Sequence, residues 1–234
     1  TRGGLRNLHP LLSETRGTSS VIYVTGDTHG DIRRLSKAKQ LKKGDTLIVC
    51  GDFGFLRGAE DEAKTLDQLK RLPYTVLFVE GAHDRCDRLK EYPTVLFGGS
   101  EAVKIADNLY WLLRGRVYNV ENKRIFAFGS GLSEHYGMLE ADDPDAGTLP
   151  TLQEKELGRT TLEHNGSAVD AVISYDAPTS AKGMLGEMEV DELNAYFDEL
   201  SKTISCDRWY FGRYHKDKNL TRIFRAVYKE VLPL

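Results

Sequence analysis

Val21-Ile22-Tyr23-Val24-Thr25-Gly26-Asp27-Thr28-His29-Gly30 is the stretch from which the rest of the chain is read. Five β-branched or aromatic residues running into glycine have the signature of a strand buried on both faces that stops in a sharp turn. In open α/β sheets ligands collect beyond the carboxyl ends of strands, which is where Asp27 and His29 fall. A carboxylate and an imidazole meeting at such a turn suit a divalent transition ion, which accepts mixed oxygen and nitrogen ligands.

The same event recurs downstream. Residues 31–38 can form a helix opened by Asp31, and residues 46–50 repeat the buried-strand pattern before Gly51-Asp52. Residues 60–72 carry Ala63, Leu66, Leu69 and Leu72 on one helical face and stop at Pro73. A third strand over 74–80 ends in Gly81-Ala82-His83-Asp84. Strand, polar turn and helix in threefold succession predict parallel strands with right-handed crossovers, which would bring Asp52 beside Asp27. Between residues 95 and 131 short alternating runs predict antiparallel strands and hairpins, with turns at Gly98-Gly99, Asp107-Asn108 and Glu121-Asn122. The polar stretch 130–150 reads as a long loop or lid, and 151–165 as a helix. A buried strand over 168–174 delivers Tyr175-Asp176, a helix over 189–203 buries Leu193, Tyr196, Phe197 and Leu200, and Trp209-Tyr210-Phe211 leads into Gly212-Arg213-Tyr214-His215. Residues 221–231 read as an edge strand or hairpin.

Composition narrows the alternatives. At 234 residues, 40% hydrophobic and 29% charged, the chain has material for one large globular domain, expected over 20–234 behind a flexible leader or arm over 1–19. A net charge of −3 gives no indication of a nucleic-acid or membrane partner, and no apolar run approaches the ~18 residues that span a bilayer. Cys50, Cys86 and Cys206 are isolated and odd in number, as expected of reduced thiols in a cytoplasmic protein. Any metal must therefore be held by Asp, His or Asn. His9 and His164 lack partner spacing, and His135 could reach the site only from the 130–150 loop.

Taken in order, Gly26-Asp27-Thr28-His29, Gly51-Asp52, Gly81-Ala82-His83-Asp84, Ser174-Tyr175-Asp176-Ala177-Pro178 and Gly212-Arg213-Tyr214-His215 resemble the calcineurin-like metallophosphoesterase family. The resemblance implies an α/β sandwich of two central mixed sheets flanked by helices, with a two-metal site at the strand ends. It implies a first metal, one of Mn, Fe, Zn or Mg, held by Asp27, His29, Asp52 and His215, with Asp52 normally bridging to a second. It also implies that His83, oriented by Asp84, serves as general acid or phosphate contact. Asn, His and His would hold the second metal, but Ala82, Tyr175 and Arg213 stand in their places. Ala82 has no donor atom, Tyr175 would ligate only as a phenolate, and Arg213 repels a cation, so the second ion is expected to be absent. Arg213 is expected to pair with the spare oxygen of Asp52 instead. The leading expectation is a phosphoester-hydrolase scaffold with one metal site, impaired or inactive, which still takes a phosphorylated small molecule or phosphodiester. Two other readings stand beside it. One is an active mononuclear phosphodiesterase or phosphatase; the other is a structural or partner-binding protein with a vestigial site, contacting protein through the leader or the 130–150 loop.

Overall fold

The three strands expected in the first third form and pair in parallel: β1 (Ile22–Thr25), β2 (Thr46–Cys50) and β3 (Thr75–Val79), with Tyr23 opposite Leu47 and Leu47 opposite Val76. The structure is a computed structural model that describes residues 20–58, 60–131 and 149–234. The expected 1–19 leader, and His135 with most of the 130–150 loop, lie outside the described residues. Helices α1 (Ile32–Ser36) and α2 (Glu62–Lys70) make the first two connections. Asp31 caps α1 by accepting the Arg33 N–H at 3.0 Å.

The third crossover departs from the expected pattern in its helix, while the antiparallel strands expected between residues 95 and 131 form about the expected turns. A single turn, α3 (Cys86–Leu89), and an antiparallel hairpin of β4 (Thr94–Phe97) and β5 (Ser100–Ala106) precede β6 (Leu109–Leu112), which returns parallel to β3. The second half contributes β7 (Arg116–Val120), β8 (Lys123–Phe128), α4 (Leu152–His164), β9 (Ala168–Ser174), α5 (Thr179–Met184), α6 (Glu192–Thr203) and β10 (Ser205–Phe211). The final segment takes the hairpin form of the two expected, at the edge of the second sheet, with a further short strand beyond it. It divides into β11 (Lys218–Asn219) and β12 (Phe224–Ala226), which extend the second sheet, and β13 (Leu232–Pro233), which closes antiparallel on β1.

Two mixed sheets result, one ordered β13-β1-β2-β3-β6-β5-β4 and the other β11-β12-β10-β9-β8-β7. Alternation along β2 shows how they stack: Leu47 and Val49 pack with Leu35, Leu69 and Leu89 of the helices, whereas Ile48 and Cys50 join Tyr118, Ile125, Ile173 and Tyr210 between the sheets. A third apolar layer joins the outer face of the second sheet to α4–α6 through Leu162, Phe197, Leu200 and Trp209. This is the expected helix-flanked sandwich. Among the described residues no helix is long and apolar enough to cross a membrane, and the three cysteines are free thiols.

Candidate metal centre

The carboxyl ends of β1, β2, β3, β9 and β10 deliver every site residue expected from the sequence. After β1, the N–H groups of Thr28 and His29 both donate to Asp52 O, at 3.1 and 2.8 Å, which ties the first turn to the second. Gly212 is required at the last turn, because a Cβ there would lie 2.2 Å from both Asp27 Oδ1 and Cys50 O. His29, Asp52, Arg213 and His215 all have positive φ, between 40° and 66°, a costly backbone for residues other than glycine. The surrounding turns hold these side chains in place before any ligand arrives.

Asp27, His29 and His215 offer ligand atoms that lie within 4.8 Å of one another. His29 Nε2 and His215 Nε2 are 2.9 Å apart, and His215 Nε2 is 3.3 Å from Asp27 Oδ2. Asp27 is fully buried, and its Oδ2 has no hydrogen-bond partner of good geometry among the described residues. Burial, with the charge of Asp52, pushes the Asp27 carboxyl above the usual range, and burial pushes the His29 imidazole down. A buried anionic oxygen lacking a donor beside a neutral imidazole fits a divalent cation. Two residues absent from the sequence reading steady this trio. The Tyr228 ring stacks on His215 at 4.6 Å, and Arg34 donates to Asp27 O at 2.5 Å.

Asp52 stands beside the trio with most of its carboxylate occupied. Its Oδ1 accepts the His83 N–H, and its Oδ2 accepts both His83 Nδ1 and the Tyr175 hydroxyl, each bond being 2.9 Å. The hydrogen bond to Asp52 raises the His83 pKa. Although burial opposes it, the His83 and Tyr175 bonds hold Asp52 below the usual carboxylate range. Burial and the charges of Asp52 and Asp27 push the Tyr175 phenol up, so Tyr175 is a donor to Asp52 and not a phenolate ligand.

Two expected pairings are corrected. Arg213 does not pair with Asp52: its Nη1 lies 3.2 Å from Asp176 Oδ2 and its guanidinium sits over the Tyr175 ring at 5.7 Å. Tyr175 and His83 already occupy Asp52 Oδ2, while Asp176, fully buried and also bonded by Tyr214, needs a countercharge. Gly131 makes room for the arrangement, since a Cβ there would meet the Tyr175 ring at 2.6 Å and Arg213 Nη1 at 2.7 Å.

Nor does Asp84 orient His83. Its carboxylate accepts the N–H groups of Phe53, Gly54 and Gly81, at 2.9, 2.7 and 2.9 Å, and so clamps the turn after β2 to the turn after β3. Burial and the Asp52 charge push its carboxyl up to about 7, against those three donors. Asp84→Asn turns an amide against one or two of these N–H groups, an expected loss of about 2 kcal/mol and about 4–8 °C in Tm. Thermal unfolding combined with an NMR titration of His83 checks this. A displaced His83 pKa with unchanged Tm would return Asp84 to the orienting role.

His29, Asp52, His83, Tyr175, Arg213 and His215 open onto a cavity of about 620 Å³, part of whose wall is Lys182, Glu187, Met188 and Glu189. That wall comes from α5 and the turn after it, elements not expected from the sequence. The chain is 27% identical over 180 residues to the lariat debranching enzyme of Schizosaccharomyces pombe, an alignment covering 67% of this chain and 36% of that protein. The chain therefore matches only about a third of that relative's length. Among solved structures, a protein of unknown function from Aquifex aeolicus matches at 20% identity and a TM-score of 0.38, over 80% of this chain and 88% of that one. Residues 20–212 match the calcineurin-like phosphoesterases, a divalent-metal-dependent family acting on phosphoesters, and with this sandwich and its strand-end cluster the chain belongs to that family.

Proposed function

We propose that the chain is a phosphoesterase scaffold with one metal position and strongly reduced or absent hydrolysis, acting on a phosphorylated small molecule or phosphodiester. Asp27, His29 and His215 hold the ion, Mn, Fe, Zn or Mg, and Asp52, which lies outside that close group, becomes the fourth ligand once an ion draws it in. When bound, such an ion polarises a phosphoryl oxygen. His83, whose Nδ1 bonds Asp52 Oδ2, stands at the cavity to donate a proton to a leaving group. The observation that carries the reading is the replacement of second-metal ligands by a closed set of protein contacts: Tyr175 bonded to Asp52, Arg213 paired with Asp176, and Ala82 buried without a donor atom. These contacts remove both the ligands and the free Asp52 oxygen that a second ion needs. Residues 20–234 act as one domain, and the three free thiols fit a reducing compartment such as the cytoplasm.

Metal analysis after Mn loading is expected to find one equivalent in the wild-type chain and none in His29→Ala. Hydrolysis of a bis-aryl phosphodiester and an aryl phosphomonoester in excess Mn is expected to be within about tenfold of the His29→Ala background. Two bound equivalents, or turnover far above that background, would sink the one-metal impaired reading.

A further inference from the structure

Lys182 has no role in the metal centre, and its surroundings are unusual for a lysine. It is 6% exposed on α5 and lines the same cavity as His29, His83 and His215. Its ammonium has one hydrogen-bond partner among the described residues, Asn194 Oδ1 at 3.3 Å, and forms no ion pair there. Asn194 is itself fixed, donating to Ala177 O at 2.9 Å and accepting the Asp191 N–H at 3.0 Å as part of the α6 capping box. A buried ammonium carries three donors and a full charge, and leaving most of that unmet is unfavourable unless a ligand completes it. The nearby acids do not complete it. Glu187 is taken by Lys216 Nζ at 3.2 Å, and Glu189 is exposed. Lys216 and Lys218 also bond Leu185 O and Met184 O, which pins the turn that carries this wall. Met188, 85% exposed, presents an apolar face on the same wall.

We propose that Lys182 is a specificity-determining contact for a second phosphoryl group, so that the ligand is a phosphodiester carrying a flanking phosphate, with Met188 covering the apolar part between the two. Lys182 then explains how a site with one metal position could retain a ligand: binding is spread over two anchors, the strand-end trio and the α5 ammonium. The proposal rests on the cavity being the phosphoester site but not on whether hydrolysis occurs.

Because catalysis is not needed, the test is binding. Affinities of a dinucleotide with and without a 5′-phosphate are measured calorimetrically on the full chain in EDTA, with parallel thermal unfolding. In the wild type the 5′-phosphate is expected to strengthen binding about tenfold. Lys182→Met should erase that gain while leaving Tm in buffer equal or higher, since it removes an incompletely partnered buried charge, and Lys182→Arg should keep most of it. The gain should persist in His29→Ala, which separates the lysine anchor from the metal trio. No gain in the wild type, a gain that survives Lys182→Met, or a gain lost in His29→Ala would each overturn the proposal. Finding two metals or rapid turnover would defeat the one-metal reading and leave these expectations standing.

Discussion

The combined substitution Ala82→Asn, Tyr175→His and Arg213→His is expected to raise bound Mn from one equivalent to two and phosphodiester hydrolysis by about 10²- to 10³-fold. Each change does something different. Tyr175→His withdraws the hydroxyl from Asp52 Oδ2 and supplies an imidazole in its place. Arg213→His removes a permanent cation from the same pocket, and Ala82→Asn adds a donor oxygen at a buried position. Refilling the second position is worth several kcal/mol of transition-state charge stabilisation, and at 1.36 kcal/mol per tenfold that gives the stated range. A stability signature should accompany it. Without metal the variant leaves Asp176 buried and short of its Arg213 countercharge, so it should unfold at lower temperature than the wild type, and Mn should restore more Tm to it than to the parent. Metal analysis, initial rates and melting curves with and without Mn check these outcomes together. One metal equivalent and unchanged rates in the variant would show that the lost ligands are not what limits this chain.

The partners in that experiment divide into those legible in the sequence and those not. Asp27, His29, Asp52, His83 and His215 lie at strand ends, and that much follows from local pattern: a buried β-branched run fixes a strand, and the residues just past its glycine lie at the strand end. What each side chain touches there is set by residues far along the chain, and local pattern is silent on that. Arg213 had two acids within plausible reach, Asp52 and Asp176, and only the packing of the Tyr175 ring against Gly51 and Gly131 decides for Asp176. Asp84 follows His83 in sequence, yet its carboxylate turns away to three backbone N–H groups of the neighbouring turns. Lys182 was unreadable for a different reason. It sits on a six-residue helix too short for apolar periodicity to reveal, and its burial comes from packing of α5 against α6. In the final segment the expected hairpin forms as β11 and β12, but the last strand, two residues long, crosses to the other sheet, which local pattern does not reveal.

Arg114→Leu is expected to destabilise the fold by about 3–5 kcal/mol, the largest single-residue effect. Glu80, the last residue before Gly81, is fully buried, and its carboxylate is held by Arg114 Nε on one oxygen and by Trp111 Nε1 at 2.6 Å on the other. Arg114 also reaches Glu154 Oε2 and Leu149 O, each at 3.1 Å, which joins the first sheet to the start of α4. Removing the guanidinium leaves the buried Glu80 carboxylate with Trp111 alone among these donors, whereas the pair together is close to neutral in worth against an apolar replacement. The double substitution Glu80→Leu with Arg114→Leu should therefore recover most of the lost stability. The effect should also reach the metal centre. Glu80 O accepts the Ser130 N–H at 2.9 Å, and Gly81 packs so closely on Asp52 that a Cβ would lie 2.3 Å from its Oδ1. A shift of Glu80 moves that turn, so Arg114→Leu should lower Mn affinity as well, and the double substitution should restore it. Urea denaturation of the wild type and both variants measures the first effect, thermal unfolding should show a loss of about 10 °C in Tm for the single change, and Mn titration measures the second. A single-variant loss below about 1 kcal/mol would place this pair among ordinary surface ion pairs and break its link to the centre.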